Sequence, residues 1–250
     1  MENAIYDSMV SANQLLNKQN SIANNLANMS TTGFKENFIY IIKQYSQNKN
    51  NVNHNSNLQE KEYYNTSTGL LDYTNRNLDI FIKDNGWLTV KDKYGKEAYT
   101  KNGHIIVNPQ GQLTVQNHKI VGYDNNYIKI PKQSDITILS NGEIVNKKNK
   151  KNTIVQYNIG RLKLVQLPMS ALVKKGNGLY YLNKKIYNEN THHNNRIQIK
   201  SGVLENSNVN PTKNMIDMIS NARQFDMQMK MISMYDQNTE YANQILNINS

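Results

Sequence analysis

A helical pattern over residues 211–246 constrains the fold of this chain more than any other feature. Asn210 fits a helix N-cap, and Pro211 fits the first helical position, where its missing N–H costs nothing. Apolar residues then recur at alternating spacings of four and three, which is typical of a helix that packs along another helix. They are Met218, Ala222, Phe225, Met229 and Ile232. At ~1.5 Å per residue such a helix is roughly 55 Å long, so it needs partners beyond an ordinary core.

The same pattern contains one irregular step. The spacing from Ile232 to Tyr235 is again three, before the pattern continues to Thr239, Ala242 and Leu246. Such a slip resembles a stammer, so the partner of this helix need not form a regular two-stranded coil with it.

Residues 2–28, at the other end of the chain, show the same alternating spacing of apolar residues and predict a second amphipathic helix. The positions that form its stripe are Ile5, Met9, Ala12, Leu16, Gln19, Ala23 and Leu26, widened by Leu15 and Ile22. We expect the helix to end near Met29, because Ser and Thr follow and Gly33 supplies a terminating position. Two long helices at the ends of the chain therefore frame a different middle region.

That middle region begins with two segments of contrasting composition. Residues 34–45 are apolar and mixed, which suggests an extended arm. Residues 46–57 are rich in Asn and poor in apolar side chains, so they cannot offset the entropy of ordering. We interpret residues 34–65 as an extended, low-complexity linker.

From about residue 66 the period changes to two, and glycine-containing turns separate short strands. Strands are predicted at residues 78–82, 87–90, 98–100, 104–107, 112–115, 119–121, 128–130, 136–139, 143–145, 161–167 and 179–182. The predicted hairpin turns are Asn85-Gly86, Tyr94-Gly95, Asn102-Gly103, Pro109-Gln110-Gly111 and Asn141-Gly142. Residues 147–151 and 188–195 are predicted as polar loops. The pattern indicates an antiparallel β domain over residues 66–202.

The charge and the absence of known catalytic motifs argue against nucleic-acid binding, enzymatic activity and a metal site. The net charge is +10, which raises nucleic-acid binding as an alternative, but Lys rather than Arg supplies it and no aromatics are interleaved. We find no phosphate-binding loop, no nucleophile motif and no cysteine, so neither an enzyme nor a cofactor is predicted. The adjacent His192 and His193 point apart on a strand and do not suggest a metal site.

The other polar and aromatic candidates have structural interpretations. Asp72, Asp79, Asp84 and Asp92 are expected to cap turns, and Trp87 to fill the β core. No apolar run is long enough to span a membrane, and the N-terminal residues do not resemble a secretory signal peptide.

Three motifs in order resemble the bacterial flagellar rod and hook protein family. Residues 21–35 resemble its A-N-N-x-A-N and T-x-G-F/Y-K/R signature, residues 201–210 its G-x-L-E-x-S-N-V segment, and residues 221–232 the core of its last helix. Landmarks of its β domain recur between residues 69 and 104. The motif residues singled out are Asn24, Asn25, Asn28, Gly33, Phe34, Gly202, Leu204, Glu205, Ser207, Asn208 and Val209. Residues 1–6 and 160–165 are most similar to the proximal rod members of the family.

The resemblance implies a non-enzymatic structural subunit of the flagellar basal body. Its fold would be α+β, with residues 1–33 and 203–250 as a coiled-coil-like helical domain and residues 66–202 as the β domain. It implies assembly with itself and with other rod subunits, and export without a cleaved signal peptide into the periplasmic rod by the flagellar export apparatus. The alternatives are a distal rod or hook-type subunit, or a nucleic-acid-binding module. The predicted assembly positions are Ile5, Met9, Ala12, Leu16, Ala23, Leu26, Met218, Ala222, Phe225, Met229, Ile232 and Leu246.

Overall fold

The chain divides into two compact units, one helical and one made of strands. The computed structural model describes residues 2–44, 57–131, 134–150, 153–176, 178–183 and 197–248. The first unit contains the two terminal helices and a β-hairpin, and the second contains Ser30–Lys35 and Thr66–Asn208.

The helices of the first unit begin and end close to the predicted positions. Helix α1 spans Glu2–Ala27 and helix α2 spans Pro211–Ile248. The side-chain oxygen of Asn210 accepts a hydrogen bond from the backbone N–H of Lys213 at 3.1 Å, which confirms the predicted N-cap.

The same unit contains a hairpin where the sequence suggested an arm and a linker. Strand β1 spans Asn37–Gln44 and pairs antiparallel with β2, Asn57–Tyr64. The run of aromatic and β-branched residues in β1 favours a strand, and pairing gives its backbone the hydrogen bonds that an isolated arm would lack. Residues 46–56 of the Asn-rich segment lie outside the described residues.

The second unit consists of short antiparallel strands. Their bounds are β3 Leu71–Tyr73, β4 Ile80–Ile82, β5 Gly86–Lys91, β6 Glu97–Thr100, β7 Ile106–Val107, β8 Leu113–Val115, β9 His118–Ile120, β10 Asp135–Ile138, β11 Glu143–Lys150, β12 Thr153–Arg161, β13 Leu164–Gln166, β14 Leu172–Lys174, β15 Tyr180–Leu182, β16 Ile199–Ser201 and β17 Val203–Glu205. A 3-10 turn, Met169–Ala171, precedes β14.

These strands form one large sheet and three smaller ones. The large sheet has the order β14-β15-β6-β5-β9-β8-β7, and β13 also pairs with β5. Strands β10, β11 and β12 form a second sheet, while β16 pairs with β4 and β17 pairs with β3. The last two pairs join the start of the β unit to the segment that precedes α2.

One apolar core holds the β unit together. It is built from alternating inward residues of most of the strands, as expected for antiparallel sheets. Among its most deeply buried members are Ile80, Leu88, Val90, Ile105, Ile120, Ile144, Leu162 and Leu179. The side chain of Trp87 is buried and donates a hydrogen bond to the carbonyl of Leu167 at 3.0 Å, which confirms its predicted place in the core.

Three of the five predicted turns connect paired strands. They are the turns at Gly95, Gly111 and Gly142, each with a positive φ at the glycine. Asn85-Gly86 and Asn102-Gly103 do not join hairpins. At Gly103 a Cβ atom would lie 1.7 Å from the carbonyl oxygen of Ile80, so the glycine is required there by close backbone approach.

The prediction of a polar loop at residues 147–151 is wrong. Strand β11 continues through Lys150 and pairs with β12 along its length, from Glu143 opposite Arg161 to Lys150 opposite Thr153. Backbone pairing in a ribbon needs no buried face, so a polar composition did not prevent it. The predicted loop at 188–195 lies outside the described residues. Overall, the α+β class is confirmed.

Candidate assembly surface and chain junctions

A buried polar junction ties together the end of α1, the start of β1 and the start of α2. The side chain of Asn25 accepts a hydrogen bond from the backbone N–H of Asn37 at 2.9 Å and donates one to its carbonyl at 2.8 Å. Asn214 accepts from Asn25 at 3.4 Å and donates to Glu36 at 3.0 Å. The carbonyl of Asn37 also accepts from the hydroxyl of Ser21 at 3.1 Å. Asn25, Glu36 and Asn214 are each buried, so these bonds replace water that the groups have lost.

Side-chain amides set the register between α1 and α2. The amide of Asn221 donates to the carbonyl of Leu15 at 2.8 Å and to the side chain of Gln19 at 2.7 Å. The amide of Gln228 donates to the carbonyl of Ser8 at 3.3 Å. Residue numbers fall along α1 as they rise along α2, so the two helices are antiparallel.

The side chains of α2 that are not exposed follow a regular spacing. At every second position they differ by one residue from the apolar positions predicted from the sequence. From residue 218 to residue 244 the side chains that are not exposed are those of Met218, Asn221, Phe225, Gln228, Ile232, Tyr235, Thr239 and Ala242. Their spacings alternate between three and four without interruption, so the predicted slip after Ile232 is absent. The predicted residues Ala222 and Met229 are exposed, and Asn221 and Gln228 take their places.

The same shift by one residue occurs in α1. Ser8 and Ile22 are buried and Leu15 is half-buried, whereas Met9, Leu16 and Ala23 are exposed. The predicted assembly positions therefore divide into two sets. Side chains that are at least half-buried within the unit are Ile5, Ala12, Leu26, Met218, Phe225 and Ile232. The exposed set is Met9, Leu16, Ala23, Ala222 and Met229. The side chain of Leu246 lies outside those that the structure describes.

The β-hairpin covers one side of the helix pair and leaves the other open. Ser21 and Asn25 of α1 contact β1 at Asn37, and the ammonium group of Lys213 on α2 lies 5.7 Å from the ring centre of Phe38. These positions of α1 and α2 lie on one side of the two helices. The exposed set lies on the opposite side, because on each helix it follows the seam residues by one position.

In the β unit, the residues of the two terminal motifs bind each other. The ammonium group of Lys35 lies 2.6 Å from a carboxylate oxygen of Glu205, and both side chains are buried. The same oxygen accepts from the backbone N–H of Gly69 at 3.0 Å, and Lys35 also donates to the carbonyl of Ser67 at 2.8 Å. This cluster of Lys35, Ser67, Gly69 and Glu205 is called the clasp below.

Backbone contacts extend the clasp on both sides. The N–H of Gly33 donates to the carbonyl of Glu205 at 2.7 Å, and the N–H of Asn208 donates to the carbonyl of Phe34 at 3.4 Å. Gly33 has a φ of +71°, and a Cβ atom there would lie 2.6 Å from the backbone of Lys101. Residues 203–208 therefore pack with the β unit, although the sequence placed them with the terminal helices.

Next to the clasp lies a third charged side chain, Lys101. It donates to the carbonyls of Asp84 and Ile82, and its ammonium group lies 5.5 Å from the ring centre of Trp87. Burial lowers the pKa of Lys101 to about 8, against the opposing attraction of Glu205. Its charged form is therefore costly to the folded β unit.

The remaining motif residues have local structural positions. The amide of Asn28 donates to the carbonyl of Asn24 at 2.9 Å at the end of α1. Gly202 has a φ of +74°, and its carbonyl accepts from the backbone N–H groups of Thr74 and Asn75. Leu204, Ser207 and Val209 are buried. The motif residues thus stabilise the segments that connect helices and strands.

The predicted turn role holds for one aspartate and fails for another. A carboxylate oxygen of Asp92 accepts from the backbone N–H groups of Tyr94 and Lys96 at 2.9 and 2.8 Å, as predicted. The buried Asp79 instead binds the side chains of Arg76, His104 and Thr74. A buried carboxylate needs charged or hydrogen-bonding partners, and these side chains supply them.

Two further structural findings bear on function. Within the described part of the chain, neither helix is apolar enough over its length to cross a bilayer. The described residues hold no group of three or more potential metal ligands. His192 and His193 lie outside them.

Comparison with known proteins gives matches to three family models. The models are described as flagella basal body rod protein at residues 6–35, flagellar hook protein FlgE/F/G D1 domain at residues 81–146, and flagellar basal body rod FlgEFG protein C-terminal at residues 200–245. The first and third coincide with the helix pair and the clasp.

Relatives align along the whole chain. It is 55% identical over 252 residues to the flagellar basal-body rod protein FlgF of Buchnera aphidicola subsp. Schizaphis graminum, with 100% of both chains covered. It is 39% identical to FlgF of Salmonella typhimurium and 37% identical to FlgF of Escherichia coli, each with 99% of this chain and 100% of the relative covered.

Proposed function

We propose that this chain, which belongs to the FlgF family of flagellar basal-body rod proteins and is a structural subunit of the proximal rod, joins its neighbours through its two terminal helices. One observation carries the proposal. Helix α2 has apolar side chains on faces other than the one that packs on α1, and a helix that is apolar on several faces needs several neighbours.

The exposed side chains of α2 that support this view are large and numerous. Between 45% and 62% of each is exposed: Met215, Ile216, Ile219, Met227, Met229, Met231, Met234 and Tyr241. Methionine adapts to irregular surfaces, which suits one helix that meets non-equivalent neighbours. We expect these side chains to be buried by helices of other subunits, in packing like that of a coiled coil.

The contacts between subunits are heterologous. A patch on one subunit meets a different patch on the next, so the assembly does not close and grows as a helix. The seam within one subunit combines the amides of Asn214, Asn221 and Gln228 with apolar side chains that are mostly only half-buried. We therefore propose that the helix pair opens readily in the dilute chain and becomes ordered on assembly.

The export route of the chain and its location in the cell follow from its role as a rod subunit. The chain is passed outward by the flagellar export apparatus without a cleaved signal peptide and takes its place in the periplasmic part of the rod. It performs no catalysis and takes no cofactor, and its partners are its own copies and other rod subunits. Relatives named FlgF align from end to end, which favours the proximal rod over the distal rod or hook. No observation favours nucleic-acid binding.

Labelling of isolated basal bodies tests the proposal. The turn at Tyr94 accepts an epitope tag, because that side chain is 95% exposed and the turn projects from the β unit. Basal bodies purified from cells that produce the tagged chain should bind gold-labelled antibody on the proximal segment of the rod. Label on the hook or the distal rod alone, or none on the basal body, would contradict the proposed position.

A further inference from the structure

The excess positive charge of the chain is confined to the β unit. That unit contains 22 of the 29 Lys and Arg residues and 10 of the 19 acidic ones, so its net charge is +12, whereas that of the helical unit is −2. A general enrichment of the chain in Lys would raise the charge of both units alike. The separation instead indicates that a surface of the β unit faces an anionic partner.

Four basic side chains converge on one face of the large sheet. Lys91 on β5 lies directly opposite Lys119 on β9, so both side chains project from the same face with Cβ atoms about 5 Å apart. Glu97 lies opposite Lys91 on the other side, and its carboxylate binds the ammonium group of Lys163. Arg161 precedes Lys163 by two residues in extended chain and shares its side. We call Lys91, Lys119, Arg161 and Lys163 the cation cluster.

The carboxylate of Glu97 does not neutralise the cation cluster. It pairs with the buried Lys163, and among the described residues no carboxylate lies within 4.0 Å of Lys91, Lys119 or Arg161. Like charges that face each other across a strand pair destabilise a sheet. The cluster therefore weakens the fold unless an anion lies against it.

Acidic residues that are close in sequence do not change this balance. Asp92 follows β5, but its carboxylate accepts from the backbone N–H groups of Tyr94 and Lys96 and from the hydroxyl of Tyr181. Asp124 is exposed in the turn beside the cluster and forms no ion pair with a described residue. Even with this carboxylate and that of the cluster's own face counted, the four cations keep a net charge of +2.

Tyrosine rings hold two members of the cluster in place. The ammonium group of Lys119 lies 5.0 Å from the ring centre of Tyr127, and the guanidinium group of Arg161 lies 5.7 Å from that of Tyr123. Arg161 also donates from its Nε to the carbonyl of Asn141 at 3.1 Å. A cation that is already positioned loses less conformational entropy when it binds an anion.

The side chains around the cluster are polar, which favours a glycan as the partner. The two turns that flank β9 expose the amides of Gln116, Asn117, Asn125 and Asn126. Amides donate to and accept from the hydroxyl and acetamido groups of sugars. A protein partner would call for an apolar anchor at the centre of the contact, and a bilayer for apolar side chains that insert into it. The turns supply amides in place of either.

We infer that the cation cluster binds the carboxylates of an acidic glycan, the peptidoglycan of the cell wall. The inference rests on the periplasmic position proposed above, because this glycan lies in that compartment. Its acetamido sugars match the exposed amides, and the free carboxylates of its peptides match the cations. The contact lies at the surface and is screened by salt, so it is weak and reversible.

Retention of the full chain by purified cell-wall sacculi tests this site. The natural chain should sediment with sacculi at low salt and be released as salt is added. Sacculi whose carboxylates have been amidated should not retain it. Lys91→Gln combined with Lys119→Gln should weaken retention about tenfold, the size expected for two lysines near an anionic surface. The same double variant should unfold at an equal or higher urea concentration, because the facing charges are gone.

Lys83→Gln combined with Lys93→Gln is the matched control, because both lysines are exposed on the β unit and lie outside the cluster. This variant loses the same charge and should be retained like the natural chain. Equal losses in the two double variants, retention by amidated sacculi, or stronger retention by phosphatidylglycerol vesicles than by sacculi would each overturn the inference. None of these outcomes would move the gold label from the proximal rod, whereas label elsewhere would contradict the proposed function without changing retention by sacculi.

Discussion

The side-chain amide of Asn25 forms two hydrogen bonds with the backbone of Asn37, one to its N–H and one to its carbonyl, as a neighbouring strand would. Its oxygen accepts from the N–H and its nitrogen donates to the carbonyl, at 2.9 and 2.8 Å. A helix side chain thus takes the position that a neighbouring strand would occupy. This geometry explains why an asparagine, with one donor and one acceptor group side by side, stands at the end of α1.

Asn25→Ala should open this junction. The variant removes the partner of the backbone N–H of Asn37 and leaves its carbonyl with the hydroxyl of Ser21 alone, in a half-buried site, which costs about 1–3 kcal/mol. Hydrogen exchange at the amide of Asn37 should then accelerate by about tenfold or more. Asn24→Ala is the matched control, because Asn24 is exposed and precedes Asn25 on the same helix. Equal exchange in both variants would show that Asn25 does not hold β1.

The clasp should be strongly sensitive to loss of one charge. Glu205→Gln leaves the buried ammonium group of Lys35 uncompensated, and breaking such a pair costs about 3–5 kcal/mol. Urea unfolding followed by the fluorescence of Trp87, the one tryptophan of the chain, reports on the β unit. Asp72→Asn should change the free energy of unfolding by less than about 0.5 kcal/mol, because Asp72 is exposed on the strand that pairs with β17.

A double variant separates the ion pair from its surroundings. Lys35→Met combined with Glu205→Gln removes both charges, so it should recover part of the stability that Glu205→Gln alone loses. If the losses in free energy of unfolding of Lys35→Met alone and Glu205→Gln alone add up to the loss of the double variant, the two side chains stabilise the β unit independently.

Lys101 should make the stability of the β unit depend on pH in the alkaline range. Burial lowers its pKa from 10.5 to about 8 in the folded chain. Between these values the unfolded chain binds more protons, so the free energy of unfolding rises with pH from about 8 to 10.5. Below about pH 8 the charge is present in both states and its full cost, on the order of 3 kcal/mol, weakens the fold.

Lys101→Met provides the comparison for this pH dependence. The variant keeps an unbranched side chain of similar length but cannot titrate. Urea titrations at about pH 8, 9 and 10, within this interval, should show a rise in stability for the natural chain that exceeds that of the variant. Parallel pH profiles would contradict the assignment of this dependence to Lys101.

The sequence predicted the elements of the helical unit better than their contacts. The bounds of α1 and α2 and the N-cap at Asn210 were readable from local patterns, as were three hairpin turns of the β unit, whereas the β1–β2 hairpin of the helical unit was missed. The seam was misplaced by one residue at alternate positions, because apolar side chains occupy several faces of α2 and periodicity alone cannot choose between them. Hydrogen bonds from Asn221 and Gln228 make that choice. With Asn214 they recur at intervals of seven, and this recurrence was the available signal.

Other features could not be predicted because they depend on distant parts of the chain. Lys35 and Glu205 are 170 residues apart, and nothing local indicates that they pair. Strands β16 and β17 pair with β4 and β3, near the start of the β unit, and each is three residues long. Short strands whose partners are far apart in sequence have no period that a window can detect.

Phe225→Asp should block incorporation into the rod without unfolding the β unit. Phe225 is half-buried in the seam between α1 and α2, where a carboxylate has no partner. The variant should be absent from purified basal bodies while its Trp87 fluorescence and urea midpoint stay unchanged. Gln224→Asp, at the adjacent exposed position, should still be incorporated. A Phe225→Asp chain that enters the rod would show that this seam is not needed for assembly.

Limited proteolysis of the dilute chain tests whether the helices open before assembly. Trypsin cleaves after Lys and Arg, and the exposed Lys18, Arg223 and Lys230 lie within α1 and α2. If only the seam between α1 and α2 holds the pair together, cleavage at these sites should precede any cleavage within the strands of the β unit. In assembled basal bodies the same sites should be protected, because neighbouring subunits bury the apolar faces of α2. Helices that resist trypsin in the dilute chain as well as they do in the rod would contradict ordering on assembly.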